Sequence, residues 1–153
     1  MRIEKTIGIA RPVEEVWTLI SDARNDPQWC GKVDAVEQTA GEGPGPQARY
    51  RARHQPVRLK PTKELAMTVE EYEAPRSLRL REEDDDAVFH VLYRLEGTPE
   101  GTSFTQSDEI EWKIPVPLRP IGWIMVSRDI QRQLSALKRL LEGAEGPRRR
   151  RRL

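Results

Sequence analysis

The stretch P-I-G-W-I-M-V-S-R-D-I-Q-R-Q-L-S-A-L-K-R-L-L, residues 120–141, decides the fold. Along it Trp123, Val126, Ile130, Leu134, Leu137 and Leu141 recur at steps of three and four, the spacing that gathers side chains onto one stripe of an α-helix. Burying one such side chain is worth roughly 1.5–3 kcal/mol, whereas ordering each backbone residue costs about 1–2 kcal/mol. A helix from Pro120 to Leu141 therefore needs a partner surface. The chain ahead of it supplies about seven strand-like segments, and an antiparallel sheet curled round one long helix encloses space between the two. The expected class is α+β.

Working outward from the helix, residues 1–10 place Ile3, Ile7 and Ile9 opposite Arg2, Glu4 and Thr6, a period of two and hence a strand, with Lys5 the one misfit. After Arg11-Pro12 the pattern becomes Val13, Val16, Trp17 and Ile20, with Glu14-Glu15 near its start. That predicts a short helix over about Pro12 to Asp22. Asp26-Pro27-Gln28-Trp29-Cys30-Gly31 reads as a second short helical turn stopped by glycine. Strands are expected at 33–39, 47–54, 62–72, 77–83, 87–96 and 102–113. Asp84-Asp85-Asp86 and Gly97-Thr98-Pro99-Glu100-Gly101 are the expected hairpin turns. The break Gly41-Glu42-Gly43-Pro44-Gly45-Pro46 lacks the Lys-Ser/Thr ending of a phosphate loop and opens no helix, so it reads as a hairpin loop.

This order, with Ile7-Gly8-Ile9-Ala10-Arg11-Pro12-Val13-Glu14-Glu15-Val16-Trp17 at the start, Asp26-Pro27-Gln28-Trp29 after it and the hairpin Tyr93-Arg94-Leu95-Glu96 to Gly101-Thr102-Ser103-Phe104 late in the chain, resembles the START-like (SRPBCC) superfamily, and within it the polyketide cyclase/dehydrase-like branch. The resemblance covers nearly all of Met1 to Glu142. It implies the helix-grip fold: a curved antiparallel sheet of about seven strands wrapped round a long C-terminal helix, with two short helices after the first strand. It also implies a scaffold for holding ligands, whose relatives range from aromatase/cyclases to lipid and quinone carriers. Because function lives in the site rather than in the fold, the range itself names no reaction.

Residues two apart on a strand share a face. Strand 102–113 thereby groups Phe104, Gln106, Asp108, Ile110 and Trp112 on the core side. A lone carboxylate there needs water, a hydrogen-bond partner or a counter-charge, which marks Asp108, with Gln106 one alternation away. Strand 47–54 sets Ala48, Tyr50, Ala52 and His54 opposite Arg49, Arg51 and Arg53. Strands 63–71 and 87–95 add Leu65, Met67, Val69, Phe89, Val91 and Tyr93, the phase of the second left open by Val88 and Leu92. The expected ligand-binding lining is Tyr50, His54, Met67, Val69, Phe89, Val91, Tyr93, Phe104, Gln106 and Asp108 from the sheet, with Trp123, Val126 and Ile130 from the helix. Such a mixture of apolar wall and scattered polar handles suits small-molecule sites. Asp108 and His54 are the candidate acid/base groups; for His54 a solvent-facing strand end is the plainer alternative. Trp17, Trp29 and Trp112 read as body packing, and Ile121, Ile124 and Met125 as local packing under the 115–120 loop, with the cavity mouth or a partner subunit as alternatives.

Composition bounds the rest. The 153 residues suit one domain, 1–143, followed by an Arg-rich tail, 144–153, expected to be disordered. The formal charge of +1 includes the run Arg148 to Arg152; without those five, 21 basic against 25 acidic residues leave −4. A mildly acidic body lacks the broad basic field that a nucleic-acid duplex requires, so no specific nucleic-acid partner is expected. Cys30 is the single cysteine, which excludes an internal disulfide and a thiolate zinc site. No metal and no cofactor are called for. Residues 1–10 lack the apolar core of a signal peptide and no stretch has the length of a membrane span, which points to the cytoplasm. The leading expectation is a module that encloses a small hydrophobic molecule, lipid-like, quinone or aromatic polyketide-like. The alternatives are a cyclase or dehydratase using Asp108 or His54, and an interaction protein docking to RNA or membrane through the tail. A homodimer is compatible with all three.

Overall fold

The structure, a computed structural model, describes residues 2–143; the expected Arg148 to Arg152 tail lies outside the described residues. Strand β1 (Arg2–Ile9) is followed by helix α1 (Val13–Ile20) and a 3-10 turn (Ala23–Gln28). The strands β2 (Val33–Ala40), β3 (Arg49–His54), β4 (Lys63–Glu73), β5 (Ser77–Glu83), β6 (Ala87–Thr98) and β7 (Gly101–Trp112) come next, and after a short 3-10 turn (Val116–Leu118) helix α2 (Arg119–Gly143) ends the described chain. The seven strands form one antiparallel sheet in the order β1-β7-β6-β5-β4-β3-β2. This is the helix-grip arrangement.

Local chemistry accounts for the elements. Pro12 sits extended at the N-cap of α1 with Glu14 and Glu15 in the first turn, and Val16, Trp17 and Ile20 turn inward. Asp22 caps the following turn, its carboxylate accepting from the Arg24 amide at 3.0 Å. β3 alternates Tyr50, Ala52 and His54 inward against Arg49, Arg51 and Arg53 outward. On β6 the inward phase is Phe89, Val91 and Tyr93: Val91 lies opposite Asp108 of β7, and Tyr93 opposite Gln106. Register shifts in β2 and between Val69 and Glu71 of β4 are the kind of irregularity that bends a strand.

The last hairpin is tighter than expected. β6 and β7 pair as far as Thr98 and Gly101, leaving Pro99-Glu100 as the turn, rather than the whole of 97–101. Gly101 has φ +144°, and a Cβ there would stand 2.2 Å from the Ile9 carbonyl oxygen, so only glycine fits where this turn meets the end of β1.

Helix α2 grips the concave face unevenly. Ile130, Leu134 and Leu137 are buried, whereas Trp123, Val126 and Leu141 are only partly so. The C-terminal end is latched to the end of β1: the Ala10 amide donates to Glu142 Oε2 at 2.9 Å, and Arg11 Nε donates to the Leu141 carbonyl at 3.0 Å. Midway, Lys32 Nζ meets Asp129 Oδ2 at 2.9 Å and ties the start of β2 to the helix. The first half of α2, from Ile121 to Gln133, lines a cavity.

Candidate functional site

Between the sheet and the first half of α2 lies a cavity of about 350 Å3, within the size range of small-molecule sites. Leu65 and Met67 of β4, Phe89, Val91 and Tyr93 of β6, and Val126 and Ile130 of α2 form much of its apolar wall. Of the thirteen residues expected to line it, nine do so: His54, Met67, Phe89, Val91, Tyr93, Gln106, Asp108, Val126 and Ile130. The other four lie elsewhere. Val69 and Phe104 are buried in the packed core. Trp123 is partly buried against the core, beside the cavity wall rather than in it. Tyr50 is buried too, but its electrostatic neighbours are Asp22 and Arg24; burial first, then the Asp22 charge, push its hydroxyl up to about 12. Tyr50, Val69 and Phe104 obey the inward alternation, which sorts residues by face and not by position along the strand.

The polar floor is richer in acid than the sequence reading foresaw. Asp108 is 4% exposed, and Gln106 Nε2 donates to its Oδ1 at 3.0 Å. Burial lifts the Asp108 carboxyl to about 7 against the pull of that hydrogen bond. Glu82 continues the inward alternation of Leu78 and Leu80 on β5 and lines the cavity. Burial, then the nearby Asp108 and Asp84, raise it to about 8. Asp26, at the 3-10 turn after α1, also faces the cavity; burial, then Glu82 and Asp22, hold it well above the usual carboxylate range. Cys30 is likewise pushed up by burial and by the same three acids.

His54 turns inward, not to solvent. Its Nε2 lies 3.1 Å from Asp84 Oδ2, both side chains being largely buried. The contact is an ion-pair distance and not an aligned hydrogen bond, since His54 Nε2 has no hydrogen-bond partner. Asp84 was expected only as a turn residue. Burial works to raise its carboxyl, but His54 and the amides of Asp86 and Ala87 outweigh that and hold it low. His90, on the outer face, meets Glu111 at 2.6 Å.

At the mouth, Val57, Leu118 and Ile121 are exposed yet line the opening, with Met125 behind them. Ile121 and Met125 thus belong to the cavity mouth instead of packing under the preceding loop, and Ile124 is exposed. Trp112 also lines the cavity, and its ring packs closely on the first turn of α2: a Cβ at Gly122 would stand 2.7 Å from it. A signal for Glu82 and Asp84 was present in the alternation 78-80-82-84, which runs on into the acidic turn. Asp26 carried none, because a 3-10 turn has no simple face.

Among the described residues no group of three or more His, Cys, Asp or Glu side chains is placed to hold a metal ion, and no helix is long and apolar enough to cross a membrane.

Comparison with known proteins agrees with this architecture. A START superfamily protein of Mycobacterium smegmatis superposes with a TM-score of 0.79 at 18% identity, over 94% of this chain and 98% of that one. The ZhuI aromatase/cyclase of a Streptomyces species gives 0.80 at 14% identity, over 93% of both chains. A protein of Thermus thermophilus gives 0.75 at 21%, over 94% and 97%. At these identities the likeness is one of fold. No curated protein matched significantly. Residues 1–142, almost the whole described domain, match the sequence pattern of polyketide cyclase / dehydrase and lipid transport proteins, and to that family this chain belongs.

Proposed function

We propose that the protein binds a small, mainly apolar molecule whose polar end reaches the floor formed by Gln106, Asp108, Glu82 and Asp26. The observation that carries this reading is the cavity itself, about 350 Å3 with an apolar wall and the polar groups of Asp26, Glu82, Gln106 and Asp108 in its lining. An apolar wall returns roughly 25 cal/mol for each Å2 of ligand surface taken from water, and a few polar groups at one end set orientation. Family membership supports a ligand-binding or cyclase role. Native mass spectrometry of gently purified protein, joined to thermal-shift screening of lipids, quinones and aromatic polyketides, tests it. A co-purifying adduct or a saturable shift is expected, and their joint absence would refute it.

A second reading, turnover of the cyclase or dehydratase type, is favoured by one observation. Asp108 and Glu82 are raised to about 7 and about 8, where a carboxyl both donates and accepts protons efficiently at neutral pH. In this reading Asp108 is the acid/base, Gln106 orients it, and His54, engaged with Asp84, is a secondary candidate. Product formation from a polyketide-like substrate that survives Asp108→Asn and Glu82→Gln unchanged would remove it.

A further inference from the structure

The floor of the cavity is a set of acceptors without a cation. Two lysines and a histidine stand on or beside the wall, and each is engaged with another acid: Lys32 with Asp129 at 2.9 Å, Lys63 with Asp86 at 2.6 Å, and His54 with Asp84 at 3.1 Å. Among the described residues, none pairs with Asp26, Glu82 or Asp108. Gln106 adds an independent sign. It is 3% exposed, its Nε2 is committed to Asp108, and its Oε1, also buried, has no donor. A buried acceptor left unpaired costs about 1–3 kcal/mol, and Gln106 lines the cavity. Against these acceptors, and beside the protons that the raised carboxyls themselves hold, the floor's own donors are the Tyr93 hydroxyl and the Cys30 thiol. The missing complement is therefore rich in N–H donors and positive.

An ammonium group meets both demands, since it carries three donors and no acceptor. A metal ion does so less well, as among the described residues no cluster of ligating side chains is placed for one. The rings of Phe89, Tyr93 and Trp112 on the same wall are surfaces that attract cations. Resting on the binding reading above, we propose that the cavity takes a cationic amine on an apolar body, its ammonium held between Asp108, Glu82 and the Gln106 carbonyl, its body against Leu65, Met67, Val91 and Ile130. The facing charged and titratable groups are Asp26, Cys30 and Lys32 from the segment between α1 and β2, His54 from β3, Glu82, Asp84 and Asp86 from β5 and its turn, Tyr93 from β6, Asp108 from β7 and Asp129 from α2. An arriving cation substitutes for the protons that burial favours on Asp108, and that burial and the nearby Asp108 favour on Glu82. Binding is thus coupled to proton release.

The test is calorimetric titration of the full chain at pH 7 with three probes of one shape: naphthylmethylamine, naphthylmethanol and naphthoate. The amine is expected to bind at least about tenfold tighter than the alcohol, the factor that one charge-assisted hydrogen bond supplies, and naphthoate weakest. Repeating the amine titration in two buffers of different ionisation enthalpy is expected to show net proton release. Glu82→Gln and Asp108→Asn should each lose most of the preference for amine over alcohol while keeping the alcohol's affinity. An amine that binds no tighter than the alcohol, takes up protons, or keeps its preference in both variants overturns the proposal. The proton measurement needs only the wild-type chain, so it decides even if a variant fails to fold. Tight alcohol binding without an amine preference overturns the cation alone and leaves the apolar-ligand reading standing. No binding by any probe overturns the cation, and with no adduct in native mass spectrometry it removes both.

Discussion

Replacing Asp108 by Asn should make the protein more stable, and increasingly so as pH rises. Asp108 is 4% exposed and its carboxyl is raised to about 7, while the same group in an unfolded chain ionises near 3.8. Below about pH 4 both states hold the proton and the group contributes nothing to pH dependence. From there to about 7 the folded chain keeps a proton that the unfolded chain has released, so stability falls by about 1.36 kcal/mol per pH unit. Above 7 both are ionised and the loss levels off at about 4 kcal/mol. Asparagine keeps an oxygen for the Gln106 Nε2 bond and cannot ionise. Urea unfolding of both proteins at pH 5 and pH 8 therefore has a defined expectation. The stability difference in favour of the variant should widen by about 2–3 kcal/mol between the two pH values. Relief of the repulsion that Asp108 exerts on Glu82 acts in the same direction. A difference that stays constant, so that the variant falls in parallel with the wild type between pH 5 and pH 8, would refute the burial argument for this carboxyl.

Three other substitutions probe separate parts of the design. Leu134→Ala, at a side chain with no exposure on the buried stripe of α2, should cost about 2–5 kcal/mol in denaturant unfolding; a loss under about 1 kcal/mol would mean that the helix does not depend on this contact. Gly101→Ala forces a Cβ to within 2.2 Å of the Ile9 carbonyl and should lower stability by about 1–3 kcal/mol or more, with an unchanged melting curve as the contrary result. Ile121→Asp, at a 58% exposed residue of the mouth, should shift stability by no more than about 0.5 kcal/mol yet weaken the binding of an apolar probe in a fluorescence titration. Large destabilisation with unaltered probe affinity would instead assign Ile121 to packing.

The strands were legible because period-two alternation survives in short segments: 77–83 was read at its observed bounds, and β3, β4, β6 and β7 shifted by three residues or fewer at either end. Helix α2 was legible from its stripe, though the stripe did not tell that Ile130, Leu134 and Leu137 would be buried while Trp123, Val126 and Leu141 stayed only half-covered. The site was half visible. Asp108 and Gln106 stood out as polar residues on an apolar face. Glu82 and Asp84 were hidden in an acidic run that looks like a solvated turn, and Asp26 in a motif that looks purely structural. His54 was ambiguous because a strand end can turn either way until its neighbour, Asp84, is in place.

By itself the sequence determined the order of the elements, the inward face of most strands and the need of residues 120–141 for a sheet to lie on. These follow from local periodicity and from the cost of exposing apolar surface. Only the tertiary structure decided where along each strand the packed core ends and the cavity begins, and which acids meet there. Asp26, Glu82 and Asp108 come from three separate segments, and their raised pKa values exist only because folding brings them together in a space from which water is largely removed.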